Sequence, residues 1–424
     1  MCLKQMLLER ESNSLTKSFK IPELLSPAGD TERFYNAVDF GADAVYLAGN
    51  SFGMRAAPSN FNFEQLKSAV DYAHSKNVKI YLTCNILARN DEIAVLPEFL
   101  KNAQACGVDA LIISDLGVFD VAKQAVPDLD IHISTQLGVV NHLTAQRLYD
   151  MGAKRVVLAR ELSLSEIAEI RAKTSPELEL EAFVHGSMCV SYSGRCLLSN
   201  YMTGRDSNRG DCAQPCRWQY ALMEKKREGM YFPISEDETG TYILNANDLC
   251  MIDYIPQLVS AGVDCFKIEG RAKSAYYTAI STYAYRMAID GFANNPSMDY
   301  RPEQWILDEV RKISHRKYST GFFFGTPECE QTYDNGGYIR EWDVVALAER
   351  QENGRLYINQ RNKFYDGDVI EVVEPKKKPF EIKVTDLRDK DDNCVESAPN
   401  PMSDFSFACD VPVSKGALLR KEKI

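Results

Sequence analysis

The chain has 424 residues, of which 45% are apolar and 26% charged, with a formal net charge of −11. That length exceeds what one hydrophobic core usually fills, so two domains are expected, and the acidic balance argues against a nonspecific nucleic-acid binder, which carries a basic field. No run approaches the ~20 apolar residues of a membrane span, and the opening MCLKQMLLERESNSLTKSFK has no apolar stretch of secretory type, so residues 1–21 read as a flexible leader to a cytoplasmic protein without a membrane partner.

From residue 22 a short apolar strand, an amphipathic helix and another strand alternate. The strands read 23–29, 43–49, 79–85, 109–115, 130–136, 155–161 and 180–186, with an eighth, DCFKIEGR, at 264–271. Helices are predicted over 31–40, 63–75, 97–105, 143–151, 165–173 and 255–262, from apolar residues at three- and four-residue spacing. Gly41, Gly107 and Gly152 each stand between a helix and the next strand. Continuous apolar strands alternating with helices mean a parallel sheet covered on both faces. Eight such units predict a closed (β/α)8 barrel over residues 22–330. An open doubly wound sheet is the alternative, although no Gly-x-Gly-x-x-Gly follows the first strand.

Between strands seven and eight the pattern breaks into a long insertion, 187–250, which includes a hairpin-like pair at 217–225 and 229–235 and a further strand-like stretch over 240–248. In a barrel of this kind it would lie at the C-terminal mouth, where active sites form. After about residue 275 a helical stretch, a polar connection (295–304) and a further helix, EQWILDEVRKI, lead to a change of pattern. From 335 to 424 short alternating strands with Asn353-Gly354 and Asp366-Gly367 turns predict a small all-β barrel.

The insertion concentrates the chemistry. Cys189, Cys196, Cys212 and Cys216 are spaced C-x6-C-x15-C-x3-C, and Cys250 follows. Twelve cysteines without a secretion signal argue against a disulfide scaffold, and clustered thiols in a reducing compartment are more often metal-binding or catalytic. Thiolates suit zinc, Cu(I) or an iron–sulfur cluster. Structural zinc prefers paired short spacings, which only Cys212 and Cys216 approach, so the uneven set favours a cluster, with zinc and metal-free thiols as alternatives. Residues 189–230 also carry seven basic side chains against four acidic ones, a local positive excess in an acidic protein. Ser26, Asp30, Asn85, Asp115, Gln136, Arg160, Glu161, His185, Glu269 and Arg271 all sit where a strand gives way to a loop. Each alone could be a helix cap or solvated turn, and neighbouring pairs such as Arg160/Glu161 or Glu269/Arg271 could be structural ion pairs. Ten at one end of a barrel point to a site.

The stretches ELLSPAGD, GADAVYLAG with FGMRA, ISTQ, RVVLARELS, FVHGSMCVSYSGRCLLSNYMTGRDSNRGDCAQPCRW, NANDLC and FKIEGRAKS resemble the collagenase-like peptidase family U32, and the likeness runs from about residue 22 to the C-terminus. Within that family it is greatest to the members that hydroxylate tRNA. The resemblance implies a [4Fe–4S] cluster and prephenate-dependent conversion of the wobble uridine of the tRNA anticodon region to 5-hydroxyuridine. It carries the cluster ligands onto Cys189, Cys196, Cys212 and Cys250, with Cys216 as a substitute. Prephenate is a dicarboxylate and calls for guanidinium groups. Arg160, His185 and Glu269 are the candidate catalytic residues. Arg55, Arg205, Arg271, Gln136 and Tyr192 are the candidate substrate contacts, with Tyr192, Tyr201 and Trp218 as faces for an unstacked base. Two other functions stay open: a peptidase, for which no His-Glu-x-x-His or Gly-x-Ser-x-Gly is present, and an RNA-binding scaffold whose metal only orders the loop.

Overall fold

The computed structural model describes residues 19–53, 60–188, 196, 198–205, 207, 211–215, 235–237, 240–242, 247–325 and 338–423, with residues 201, 235–237 and 240–242 as backbone only. In chain order its first elements are β1 (Glu23–Pro27), α1 (Thr31–Asp39), β2 (Ala44–Ala48), α2 (Phe63–Ser75), β3 (Lys79–Cys84), α3 (Asn90–Cys106), β4 (Ala110–Ile113), α4 (Leu116–Ala125), β5 (Asp130–Ile133), α5 (His142–Asp150), β6 (Arg155–Val157), α6 (Leu164–Ala172) and β7 (Glu179–Ser187). The insertion follows, with α7 (Leu198–Thr203), β8 (Ser235–Asp237), β9 (Gly240–Tyr242) and β10 (Asp248–Cys250). The chain then returns through α8 (Ile255–Ser260), β11 (Cys265–Ile268), α9 (Ala275–Asn294), α10 (Gln304–Glu309) and β12 (Tyr318–Ser319).

Strands β1 to β7 pair in parallel, each with the next, and β11 pairs in parallel with both β1 and β7, which closes an eight-stranded ring. The predicted barrel is therefore the observed one, and the open sheet is set aside. Side chains of the strands' outer faces pack under the helices. The helices start where short polar side chains take up their free amides: Asp30 accepts from Arg33 N, Asp115 from Val118 N, and Asn62 and Ser163 form capping boxes with Gln65 and Glu166. Asp30 and Asp115, two of the strand-end polar residues, are thus caps. Helix α3 begins at Asn90, well before the predicted 97–105, because Pro97 is accommodated inside it after the Arg89–Glu92 start. Helix α4 lies outside the predicted set; Gly117 and the β-branched Val118 and Val121 weaken its sequence signal, and its Asp115 cap starts it all the same. The helix predicted over EQWILDEVRKI stops at Glu309, after which the chain turns to bring Arg316 against Asp248, Nη2 to Oδ1 at 2.7 Å.

Two more strands extend the sheet outside the ring. β10 runs antiparallel to β7, with Asp248 opposite Ser187 and Cys250 opposite His185, and β12 runs parallel to β10. The hairpin predicted at 217–225 and 229–235 lies outside the described residues apart from its last position, and β8 and β9 pair antiparallel just beyond it.

The C-terminal body holds β13 (Trp342–Glu352), β14 (Arg355–Gln360), β15 (Phe364–Tyr365), β16 (Val369–Val373), β17 (Phe380–Lys383), β18 (Arg388–Asp389), β19 (Ser397–Ala398), β20 (Asp404–Ala408) and β21 (Leu418–Glu422). Seven of them form one antiparallel sheet in the order β17-β16-β21-β13-β14-β20-β18. The predicted small all-β domain is observed as an antiparallel half-barrel: no pairing among the described residues joins β17 to β18. The β13–β14 hairpin turns through Asn353 and Gly354, both at positive φ (51° and 72°), as a type I′ turn requires. The sheet is locked to the barrel through Arg420, fully buried, whose guanidinium bonds Glu371 (2.6 Å) within its own sheet and Glu309 (2.6 Å) of α10.

Candidate active site at the barrel mouth

The barrel's interior is charged at its base. Arg155 is 3% exposed and reaches Glu23 (2.7 Å), Glu179 (2.7 Å) and Glu181 (3.2 Å), while Lys267 bonds Glu181 from the other side at 2.6 Å. Tyr81 donates to Glu23 at 2.9 Å. Burial raises the Glu23 carboxyl, but Arg155 and Tyr81 outweigh it and hold it below its ordinary value. Acidic and basic partners here neutralise each other in a water-poor space, which is the condition for keeping such charges buried. Above this layer Phe183 is held between two cations, with Lys267 Nζ 5.3 Å and Arg160 Cζ 3.8 Å from its ring centroid.

Arg160 and Glu269, from opposite sides of β7, meet at the mouth. Arg160 Nη2 donates to Glu269 Oε2 at 3.0 Å and Nη1 to the Ser187 carbonyl at 2.9 Å. The pair is mostly buried, with side chains 15% and 19% exposed. The neighbouring pairs read from sequence, Arg160/Glu161 and Glu269/Arg271, give way to this one, which reaches across β7 from the end of β6 to the end of β11. Arg271 is buried and donates instead to Asn60 Oδ1 (3.2 Å) and Thr83 Oγ1 (3.5 Å). Gln136 accepts from Asn85 Nδ2 (2.7 Å) and Ser134 Oγ (3.1 Å). Thr83, Ser114 and Ser134 stand within one residue of the C-terminal ends of the successive strands β3, β4 and β5, and the Ser114 hydroxyl has no partner among the described residues. The mouth therefore presents a fixed ion pair beside an arc of neutral donors and acceptors.

Gly186 makes this arrangement possible. It sits at φ +112°, and a Cβ there would lie 2.4 Å from the Glu269 carbonyl oxygen. The β7–β11 register shifts at this level, pairing Lys267 with Phe183 and then Ile268 with His185, and such irregularities re-aim side chains.

His185 is aimed away from the pair. Its ring lies among Tyr277, Tyr285 and Tyr318, with centroids 5.8, 5.4 and 5.4 Å away, and neither ring nitrogen has a hydrogen-bond partner among the described residues. Burial pushes its pKa down to about 3. Only its backbone joins the site, where its carbonyl accepts from Glu269 N at 2.8 Å. Ser26 likewise faces outward, to Thr282 at 2.5 Å.

Of the predicted thiols, Cys196, Cys212 and Cys250 are described, all half-buried and free of disulfides; Cys189 and Cys216 lie outside the described residues, as do Arg55, Tyr192, Trp218 and the Tyr201 side chain. The Gln214 amide donates to Cys212 Sγ at 3.4 Å, and Ser207 Oγ to the Cys196 carbonyl at 2.8 Å. Burial pushes the Cys250 thiol up to about 12. Among the described residues no three His, Cys, Asp or Glu side chains are gathered as a metal site. Arg205 is exposed and tied to Asp211 within the insertion at 2.7 Å.

Sequence reasoning missed Lys267, Glu181, Glu23 and Arg155, and also Asn60 and Thr83. The signal for the first group was present: single charges at alternate positions of otherwise apolar strands, as in CFKI and LEAF, which a barrel interior must pair.

The sequence model described as "Peptidase family U32" matches residues 29–333, and that described as "Peptidase family U32 C-terminal domain" matches residues 340–420. The chain is 35% identical to the tRNA hydroxylation protein P1 of Bacillus subtilis (strain 168) over 414 residues, 95% of this chain and 96% of that one. It is 44% identical over 305 residues to a protein named uncharacterized protease MJ0090 from Methanocaldococcus jannaschii, covering 71% and 73% of the two. Similarity to the 23S rRNA 5-hydroxycytidine C2501 synthase of Escherichia coli (strain K12) is 32% over 364 residues, 86% of this chain and 50% of that one.

Proposed function

This chain belongs to peptidase family U32, and from that membership we propose that it is an RNA-hydroxylating enzyme that converts the wobble uridine of tRNA to 5-hydroxyuridine, with prephenate as co-substrate. Relatives named for hydroxylating both a tRNA and an rRNA base support an RNA base as the target. The observation that carries the reading is the mouth itself: a neutral polar arc from Thr83, Ser114, Ser134 and Gln136 beside the Arg160–Glu269 pair. A uracil edge offers two carbonyl acceptors and one N–H donor, which such an arc can match once the base has left its stack. A peptidase reading lacks comparable support among the described residues, since the His185 ring hydrogen-bonds no nucleophile there.

In this reading the residues divide the work by charge. Arg160 is held over the Phe183 ring and braced by Glu269, so its guanidinium is pre-organised to meet a carboxylate of the dicarboxylic co-substrate. Arg271, Asn85 and Gln136 orient the base. Cys189, Cys196, Cys212 and Cys250, with Cys216 as a substitute, would hold an iron–sulfur cluster, which supplies one-electron chemistry. The donor set fits that group in kind: all are thiols, and an amide N–H already points at Cys212 sulfur, the sort of contact that tunes a cluster's potential.

The test is the nucleoside profile of bulk tRNA from a deletion strain, complemented with the wild-type gene, Cys189→Ala or Arg160→Ala. The expected result is loss of 5-hydroxyuridine-type nucleosides on deletion, restored by wild type and by neither variant. The anaerobically purified wild type should carry iron and Cys189→Ala should not. An unchanged profile in a deletion strain without a paralogue would defeat the reading, and colourless protein with stoichiometric zinc would remove the cluster from it.

A further inference from the structure

A cleft of about 670 Å³ opens between the barrel and the C-terminal body. One end is walled by Ser187, Glu269 and Gln214, so it adjoins both the mouth and the cysteine-bearing insertion. The other end is walled by Trp342, Arg361 and Asn362 of the half-barrel. The Arg420–Glu309 bond fixes the two walls relative to each other, which makes the cleft a built feature.

Its charges do not balance internally. Each lining carboxylate has a cation of its own: Glu269 has Arg160 (3.0 Å), Asp343 has Lys423 (3.1 Å) and Glu32 has Arg361 (3.3 Å). Lys273 and Arg340 are left over. Arg340 is exposed and, among the described residues, its side chain donates only to the neutral Ser314 hydroxyl, at 3.1 Å. Lys273 Nζ is enclosed and hydrogen-bonds no acceptor among the described residues; the nearest carboxylate, Asp248, is 4.0 Å away and already bound by Arg316 at 2.7 Å. An ammonium left in that state is costly unless an anion joins it. The N-terminus of the long helix α9, from Ser274, opens onto the same space and adds partial positive charge.

Aromatic rings alternate with these cations. Tyr338 lies 4.2 Å from Lys273 Nζ and 5.7 Å from Arg340 Cζ, measured to its centroid, and Tyr277 lies 5.3 Å from Lys273 Nζ. Cations interleaved with ring faces along a groove are what channels for single-stranded nucleic acid use, cations for phosphates and rings for bases. The protein as a whole is acidic, so this concentration of unmatched positive charge is local to the cleft.

We propose that the cleft binds the single-stranded RNA segment that flanks the reacting nucleotide, with Arg340 on a phosphate, Lys273 adding positive charge from behind the Tyr338 ring, and Tyr338 as the platform for an unstacked base. The C-terminal body then serves as the second jaw of the RNA site. This rests on the RNA reading above and adds to it where the strand runs.

The test measures binding of a fluorescently labelled tRNA anticodon stem–loop to the full-length protein by anisotropy across a salt series, beside the tRNA nucleoside profile of complemented cells. Tyr338→Ala is expected to weaken binding about 5- to 100-fold and Tyr338→Phe to leave it within about twofold, since the ring face is kept. Arg340→Ala, at an exposed position that folding tolerates, is expected to weaken binding and lower the salt slope by about 1. Wild-type affinity and wild-type salt slope in both alanine variants would overturn the proposal, as would absence of RNA binding by the wild type. Cleft-dependent binding with an unchanged nucleoside profile on deletion would defeat the hydroxylase reading and leave the cleft standing. Lost nucleosides with cleft-independent binding would do the reverse.

Discussion

Arg160 and Glu269 form one unit at the mouth, and their substitutions should behave as one. Arg160→Ala and Glu269→Gln are each expected to lower 5-hydroxyuridine formation at least about tenfold, and the double variant to be little worse than either, because groups that act together are non-additive. Fully additive losses in a complementation assay would show that the two act separately. Each should cost only about 1–3 kcal/mol of stability, the scale of a charged hydrogen bond. His185 makes the opposite kind of prediction. Its folded-state pKa is about 3, against about 6.5 when unfolded. Above pH 6.5 neither state is charged; below it the unfolded chain takes up a proton that the folded one refuses. Stability therefore falls as the pH drops from about 6.5 toward 3, by up to about 1.4 kcal/mol per pH unit. His132, which burial beside Arg155 also holds well below its ordinary value, acts with the same sign. Urea unfolding between pH 6.5 and 5 should show this slope, reduced in His185→Phe; an unaltered slope would mean that His185 is not buried neutral. That residue illustrates the limit of the sequence. A lone His at a strand end looks like a proton carrier, and only the turn of β7 decides whether it faces the lumen or the helices.

At the scale of the element, the strand–helix alternation made the barrel legible because each strand is a mostly apolar run and each helix has one apolar face. The same pattern concealed what lay inside, since a buried charge within an apolar strand has no partner visible in one dimension. Glu181 and Lys267 are far apart in the chain and meet only because β7 and β11 close the ring. The aromatic and basic residues at 338–342 were legible only as the start of a β-rich segment, because their role comes from standing across a gap from α9. Helix α4 escaped notice through its weak propensity, and the strand pattern announced a small β-barrel without saying which of its edges pair. Gly186 is the local device on which the mouth depends. Gly186→Ala should cost at least about 2 kcal/mol, from positive φ and collision together, and should displace Glu269. Activity should fall more steeply than stability in a parallel assay of melting and nucleoside content. Wild-type activity in that variant would show that the Glu269 backbone is free to move.

For the whole molecule, the decisive bond is Arg420 to Glu309, which are 0% and 1% exposed at the join between the two bodies. Arg420→Met leaves the Glu309 carboxylate buried without that partner, a loss of about 3–5 kcal/mol. Calorimetry should show one cooperative transition in the wild type and two in the variant; a single transition in both would mean that the apolar contacts alone join the halves. The same rigidity serves the RNA cleft, whose walls come from both sides of that join. The barrel end of the molecule has a different property. Ser187 stands opposite Asp248 on neighbouring strands, so the excursion that carries Cys189, Cys196, Cys212 and Cys216 leaves the sheet and rejoins it at one gate, with Cys250 just past that gate on β10. Such a segment is a cassette. Its replacement by a short turn, or by the corresponding stretch of a relative, would leave the chassis of eight strands closed, so this stretch could be exchanged by grafting without redesigning the frame beneath it.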